Sequence, residues 1–173
     1  MNTQTEDQSV LMAGRPLTTI EISDMKISTS TDDVLVTYSL GSCVGVVIYD
    51  PVAKVGGMIH CMLPLSKIDP EKAQSKPNMF VDTGLSALLQ GIYDRGGQKK
   101  NLVAKVAGAG SPLGKEKIFK IGQRNYTVVR KILWKNNILI QAEDVGGASA
   151  RTLVLDMSTG KTVVKSGGQE VEL

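Results

Sequence analysis

The reading turns on Val36-Thr37-Tyr38-Ser39-Leu40-Gly41-Ser42-Cys43-Val44-Gly45-Val46-Val47-Ile48-Tyr49-Asp50 and, a turn later, Gly57-Met58-Ile59-His60-Cys61-Met62-Leu63-Pro64. β-Branched residues dominate both, and Asp50-Pro51-Val52-Ala53-Lys54 separates them with turn residues, which predicts an antiparallel hairpin. A loop centred between positions 51 and 53 allows three registers. One sets Cys43 directly opposite His60, a second sets them diagonally on the same face, and a third puts them on opposite faces, because a one-residue slip inverts every side chain. Cys61 follows His60 on the strand and so points away from whatever His60 touches.

Working outward, short β-branched runs recur at Leu17–Ser23, Val34–Leu40, Val44–Tyr49, Gly57–Leu63, Leu102–Ala107, Ile138–Ala142, Arg151–Asp156 and Lys161–Lys165. Two stretches carry helical spacing instead. Val81, Leu85, Leu88, Leu89 and Ile92 mark one helix, with Asn78 as its expected cap and Gly96-Gly97 as its stop. Val128, Val129, Ile132 and Leu133 mark a second, ending near Asn136-Asn137. Eight short, mostly antiparallel strands and two main helices predict an α+β fold, a sandwich whose helices cover one sheet face. The glycine pairs at 56–57, 96–97, 146–147 and 167–168 read as turns. Residues 1–15 are polar and aperiodic and read as a flexible tail, leaving 16–173 as one domain.

Composition narrows the function classes. At 173 residues, with 42% hydrophobic and 21% charged, the chain resembles an ordinary globular domain. No apolar run approaches the ~20 residues of a bilayer span, so membrane insertion is not expected, and Glu6 and Asp7 argue against a secretory leader. The formal charge of +3 is mild, and one Trp, four Tyr and two Phe offer little for base stacking, so nucleic acid is not an expected partner. Two cysteines without an export signal are expected to be reduced, in a cytoplasmic protein. With His60 the sole histidine, a His-rich metal site is excluded, and no cofactor or metal is expected.

In a small domain a cysteine is most often core, and a lone histidine on an apolar strand is most often a satisfied polar group. Cys61, among Ile59, Met62 and Leu63, fits that description. Cys43 differs: it follows the flexible Gly41-Ser42 bend, where backbone N–H groups can face a developing negative charge, and two of the three registers bring it to His60. A thiol beside an imidazole is the arrangement of a nucleophile and its base. Thr37, on its residue type alone, is a β-branched strand residue. A thiol-redox protein is a poor alternative, since there is no Cys-x-x-Cys and the two cysteines face opposite ways.

The Leu40–Val44 run, the Asp50-Pro51 turn and the Gly57–Pro64 strand resemble the signature of the bacterial chemoreceptor glutamine deamidases, the CheD family. Ala104-Lys105-Val106, Ile121-Gly122-Gln123-Arg124-Asn125 and Ala142-Glu143-Asp144-Val145-Gly146-Gly147 extend the likeness from about Leu17 to Gly168. The resemblance implies a fold similar to toxin-type cysteine deamidases, with Cys43 as nucleophile, His60 as general base and acid, and Thr37 as third active-site residue. It also implies hydrolysis of glutamine side chains on chemoreceptors, a glutamyl methylesterase side activity through the same acyl intermediate, and docking on a chemotaxis phosphatase of the CheC kind. A binding module acting on those same partners is the alternative. One departure stands out: Pro112-Leu113 occupies positions where the family usually has Met-Phe, away from the hairpin.

Overall fold

The computed structural model describes residues 14–112 and 120–173; most of the expected N-terminal tail and Leu113 lie outside them. Among the described residues ten strands form two five-stranded sheets. The first sheet takes β1 (Leu17–Thr19), β3 (Val34–Leu40), β8 (Arg151–Asp156), β9 (Thr162–Ser166) and β10 (Gln169–Glu172), in that order. The second takes β2 (Asp24–Ser28), β5 (Val55–Cys61), β4 (Val44–Asp50), β6 (Val103–Gly108) and β7 (Ile140–Val145). Only the β1–β3 and β6–β7 pairs are parallel among these strands. Helices α1 (Pro70–Ser75), α2 (Val81–Asp94) and α3 (Ile121–Lys135) and short 3-10 turns join them.

Alternation along β4 and β5 assigns the layers. Val44, Val46, Ile48, Val55, Ile59 and Cys61 pack with Leu85, Leu88 and Ile92 of α2 and with Val129 and Leu133 of α3. The other face of the same strands, Val47, Tyr49 and Met58, packs with Leu35, Leu40, Leu153 and Leu155 of the first sheet. β4 is therefore buried along its whole length, which is why it reads as a continuous apolar run rather than an alternating one. Each fully buried Val or Ile on it contributes about 1.5–3 kcal/mol. The expected sandwich, with α2 and α3 over one sheet, is what these residues build.

The differences have local causes. The expected strand Leu17–Ser23 breaks after Thr19: Ser23 turns the chain with φ 66°, and its N–H donates to the His60 carbonyl at 2.9 Å, carrying the chain across to the second sheet as β2. Asn78 does not cap α2. It sits in a 3-10 turn at Pro77–Met79, and the helix starts after Phe80 without a side-chain cap. α1 leaves no apolar period in the sequence because its residues are nearly all exposed; Asp69 caps it by accepting from the Lys72 N–H at 3.0 Å. β10 is exposed throughout and joins β9 through Gly167-Gly168, both at positive φ, the turn expected there.

Candidate functional site

The β4–β5 ladder sets Gly45 opposite His60 and Val44 opposite Cys61. Of the three registers, this is the diagonal one, with Cys43 one step beyond the ladder on His60's face. Diagonal neighbours are about 7–8 Å apart at their backbones, within range of long side chains. Across from His60, Gly45 leaves room for the Leu153 and Leu40 side chains: a Cβ there would meet their carbons at 2.9 Å. Cys43 is half-buried and packs against the cluster between the sheets, whereas Cys61 is fully buried in the cluster under the helices. The two cysteines face opposite ways and form no disulfide.

The loop carrying Cys43 is fastened from behind. β3 bulges between Thr37 and Leu40, and Ser39 takes φ 61°. The Gly41 carbonyl then accepts from the Gly110 N–H at 2.8 Å, and the Cys43 carbonyl accepts from the Ala109 N–H at 2.7 Å. Gly108 permits that contact. It holds φ +96°, and a Cβ there would lie 2.5 Å from the Cys43 carbonyl oxygen. The Gly41 N–H already donates to the Ser39 carbonyl at 3.0 Å, which removes it from the expected oxyanion donors.

His60 is held across the sandwich. Its ring Nδ1 lies 2.7 Å from the Oγ1 of Thr37, which belongs to the other sheet, and both residues are fully buried. The Thr37 hydroxyl also donates to the Ile20 carbonyl at 2.7 Å. A hydroxyl has one proton. Since that proton goes to Ile20, Oγ1 must accept from His60 Nδ1–H, which leaves Nε2 as the bare ring nitrogen. Nε2 is buried and has no hydrogen-bond partner among the described residues. Burial pushes the His60 pKa down to about 4, so the imidazole is neutral at neutral pH and Nε2 carries a lone pair ready for a proton. Burial, followed by the charges of Cys43 and Asp82, pushes the Cys61 thiol well above its usual range, which leaves it inert.

Thr37 and His60 are thus hydrogen-bonded, and the register puts Cys43 on the same face of the second sheet as His60 and Cys61 on the other. Asn125 carried no role in the sequence reading. It is fully buried on α3, and its Nδ2 donates to the Ser42 and Met62 carbonyls, each at 3.0 Å. The β4–β5 ladder ends at Val44 and Cys61, and the next N–H, that of Met62, donates to the Met79 carbonyl. Asn125 bridges the gap and ties the residue before Cys43 to the segment after His60. Its signal was present: an amide on the buried stripe of Gly122, Val129 and Leu133 needs buried partners. Arg151 works similarly from β8. Its guanidinium donates to the Gly146 carbonyl at 2.6 Å and pairs with Asp144 at 3.3 Å, steadying the turn whose Gly147 carbonyl accepts from the Ser111 N–H. Among the described residues no group of three His, Cys, Asp or Glu side chains is placed to hold a metal, and no helix is long and apolar enough to cross a membrane.

The profile of the CheD family, described as CheD chemotactic sensory transduction, matches residues 62–166. The match begins just after His60, so Thr37, Cys43 and His60 precede it. The chain is 50% identical over 149 residues to the probable chemoreceptor glutamine deamidase CheD 1 of Syntrophus aciditrophicus (strain SB), covering 86% of this chain and 93% of that protein. It is 42% identical over 154 residues to the probable chemoreceptor glutamine deamidase CheD of Solibacter usitatus (strain Ellin6076), covering 89% and 91%. A solved Neisseria meningitidis protein described by the family DUF152 overlays with a TM-score of 0.44 at 12% identity, covering 78% of this chain and 64% of that one.

Proposed function

Since the chain belongs to the CheD family, we propose that it is a cytoplasmic protein-glutamine deamidase of bacterial chemotaxis. In this reading it converts glutamine side chains on the cytoplasmic domains of chemoreceptors to glutamate. The observation that carries it is the Ile20–Thr37–His60 chain of hydrogen bonds, which leaves a bare, buried Nε2 on the face shared with Cys43.

The steps follow from those protonation states. His60 is neutral, so no imidazolium waits beside the thiol. Instead Nε2 takes the Cys43 proton as sulfur attacks the amide carbon. The oxyanion that forms requires N–H donors from the Ser42–Cys43 turn, each worth about 2.7–4 kcal/mol in comparable sites. The imidazolium then gives its proton to the leaving nitrogen, the C–N bond breaks, and ammonia departs from a thioester. Water attacks the thioester with Nε2 again as base, releasing the glutamate side chain and restoring the thiol. Throughout, Thr37 holds Nδ1–H and stabilises the ring when it is charged. A glutamyl methyl ester would give the same thioester with methanol leaving, which makes esterase activity a companion expectation.

Mass spectrometry of a chemoreceptor cytoplasmic domain after incubation tests the reading through the Gln-to-Glu mass gain. Cys43→Ala must abolish that gain while leaving binding intact. A protein that binds receptors with no Cys43-dependent mass change is an adaptor, and the catalytic reading fails. Docking on a CheC-type phosphatase belongs to the same reading and is tested by co-purification with such a protein.

A further inference from the structure

A groove of about 530 Å³ lies between the segment leaving β5 and the outer face of α3. Pro64, Leu65 and Val128 give it an apolar floor, and Lys120, Arg124 and Lys131 stand along it. Positions 124, 128 and 131 recur at the spacing of one helical face, so the charges form a stripe rather than a scatter. α3 carries Arg124, Arg130, Lys131 and Lys135 and no acid at all. A chain whose whole formal charge is +3 therefore concentrates a larger positive charge on this one helix. Among the described residues no ion pair involves the three groove cations. Asp82, the carboxylate beside the groove's Pro64–Leu65 wall, is engaged by the Ser66 N–H and hydroxyl at 2.9 and 2.8 Å.

Both walls adjoin, in sequence, segments of the candidate site. Pro64 follows His60 by four residues, and Arg124 precedes Asn125, whose amide holds the Ser42 and Met62 carbonyls. The groove's walls are thus continuous in sequence with the strand that carries His60 and with the residue that fastens the Cys43 loop.

We propose that this groove docks an acidic, amphipathic segment of the protein whose glutamine is hydrolysed, its apolar residues on Pro64, Leu65 and Val128 and its carboxylates on Lys120, Arg124 and Lys131. The proposal rests on the deamidase reading and adds the place and chemistry of substrate recognition. Uncompensated cations beside a reactive centre raise the local concentration of an anionic partner, and the effect is screened by salt.

The test uses the full chain, a chemoreceptor cytoplasmic domain as substrate, and the double variant Arg124→Glu/Lys131→Glu. The rate of Cys43 alkylation by iodoacetamide should match wild type, which shows the fold and thiol intact because the probe does not need the groove. KM for the receptor domain should rise about tenfold or more, kcat should hold, and the steep loss of kcat/KM with salt should flatten. The charge-preserving Arg124→Lys/Lys131→Arg should restore wild-type KM. An unchanged KM and salt dependence in the Glu variant, with wild type turning over, overturns the groove while leaving the deamidase reading standing. No turnover by wild type fails that reading first and takes the groove with it. Loss of binding to anionic vesicles in the Glu variant, with KM unmoved, also overturns the proposal and assigns the stripe to a membrane surface.

Discussion

Replacing Thr37 by valine keeps the branched shape of the side chain and removes one oxygen. That oxygen makes two buried hydrogen bonds, donating to Ile20 and accepting from His60 Nδ1. On the sequence alone the swap looks like the loss of a single bond and a small change in stability. The structure raises the figure: each stranded buried partner costs about 1–3 kcal/mol, and the added methyl returns about 0.8 kcal/mol, for a net loss of about 1–5 kcal/mol. Part of that loss can be avoided if the imidazole moves its proton to Nε2. The escape is fatal to catalysis, since Nε2, the ring nitrogen proposed to take the Cys43 proton, is then no longer a base. Turnover should fall about 10²–10⁴-fold, the range of general-base catalysis. Thr37→Ser keeps both hydrogen bonds and should retain most activity at a cost of about one buried methyl group. Urea unfolding gives the stability term, and mass spectrometry of receptor deamidation gives the rate. A folded Thr37→Val protein with wild-type turnover would refute the argument and leave Cys43 and His60 as a dyad.

The folded His60 pKa of about 4 lies below its ordinary 6.5, so between these values the unfolded chain binds the extra proton. Stability is therefore full above pH 6.5 and should decline by about 3 kcal/mol as pH falls toward 4; urea midpoints for wild type and His60→Gln should converge in that window. The acid limb of turnover should likewise sit near pH 4 rather than 6.5, read from kcat/KM. Iodoacetamide at neutral pH should label half-exposed Cys43 well before buried Cys61, checked by peptide mapping, and the reverse order would exchange their roles. Asn125→Leu strands the Ser42 and Met62 carbonyls and unties the nucleophile loop, so kcat should drop with KM little changed; equal kcat in a folded variant would reduce Asn125 to a packing residue.

The hairpin was legible because its information is local. Alternation alone places Cys61 away from His60, and the continuous apolar run of β4 announces a strand covered on both faces. Other features depend on partners distant in sequence. Nothing in Ile20–Ser23 betrays a crossing between sheets, since β-branched residues there suit an uninterrupted strand. Thr37 reads as packing until the second sheet supplies His60, and resemblance, not spacing, singled it out. Asn125 is tied to carbonyls at 42 and 62, a connection that only the folded chain creates. Asn78 is a good capping residue close to a helix start, but Pro77 draws it into the preceding 3-10 turn instead.

The bond between Thr37 and His60 joins one sheet to the other. Imidazole alignment is consequently a property of the interface between the sheets rather than of either sheet. A slip of one sheet over the other by the length of a hydrogen bond would free the ring while most of the backbone ladders stayed intact. The chemistry therefore acts as a gauge of interior packing. Shortening Leu35 or Leu155, both fully buried between the sheets, should silence turnover at temperatures where the fold, judged by its secondary structure, is still whole.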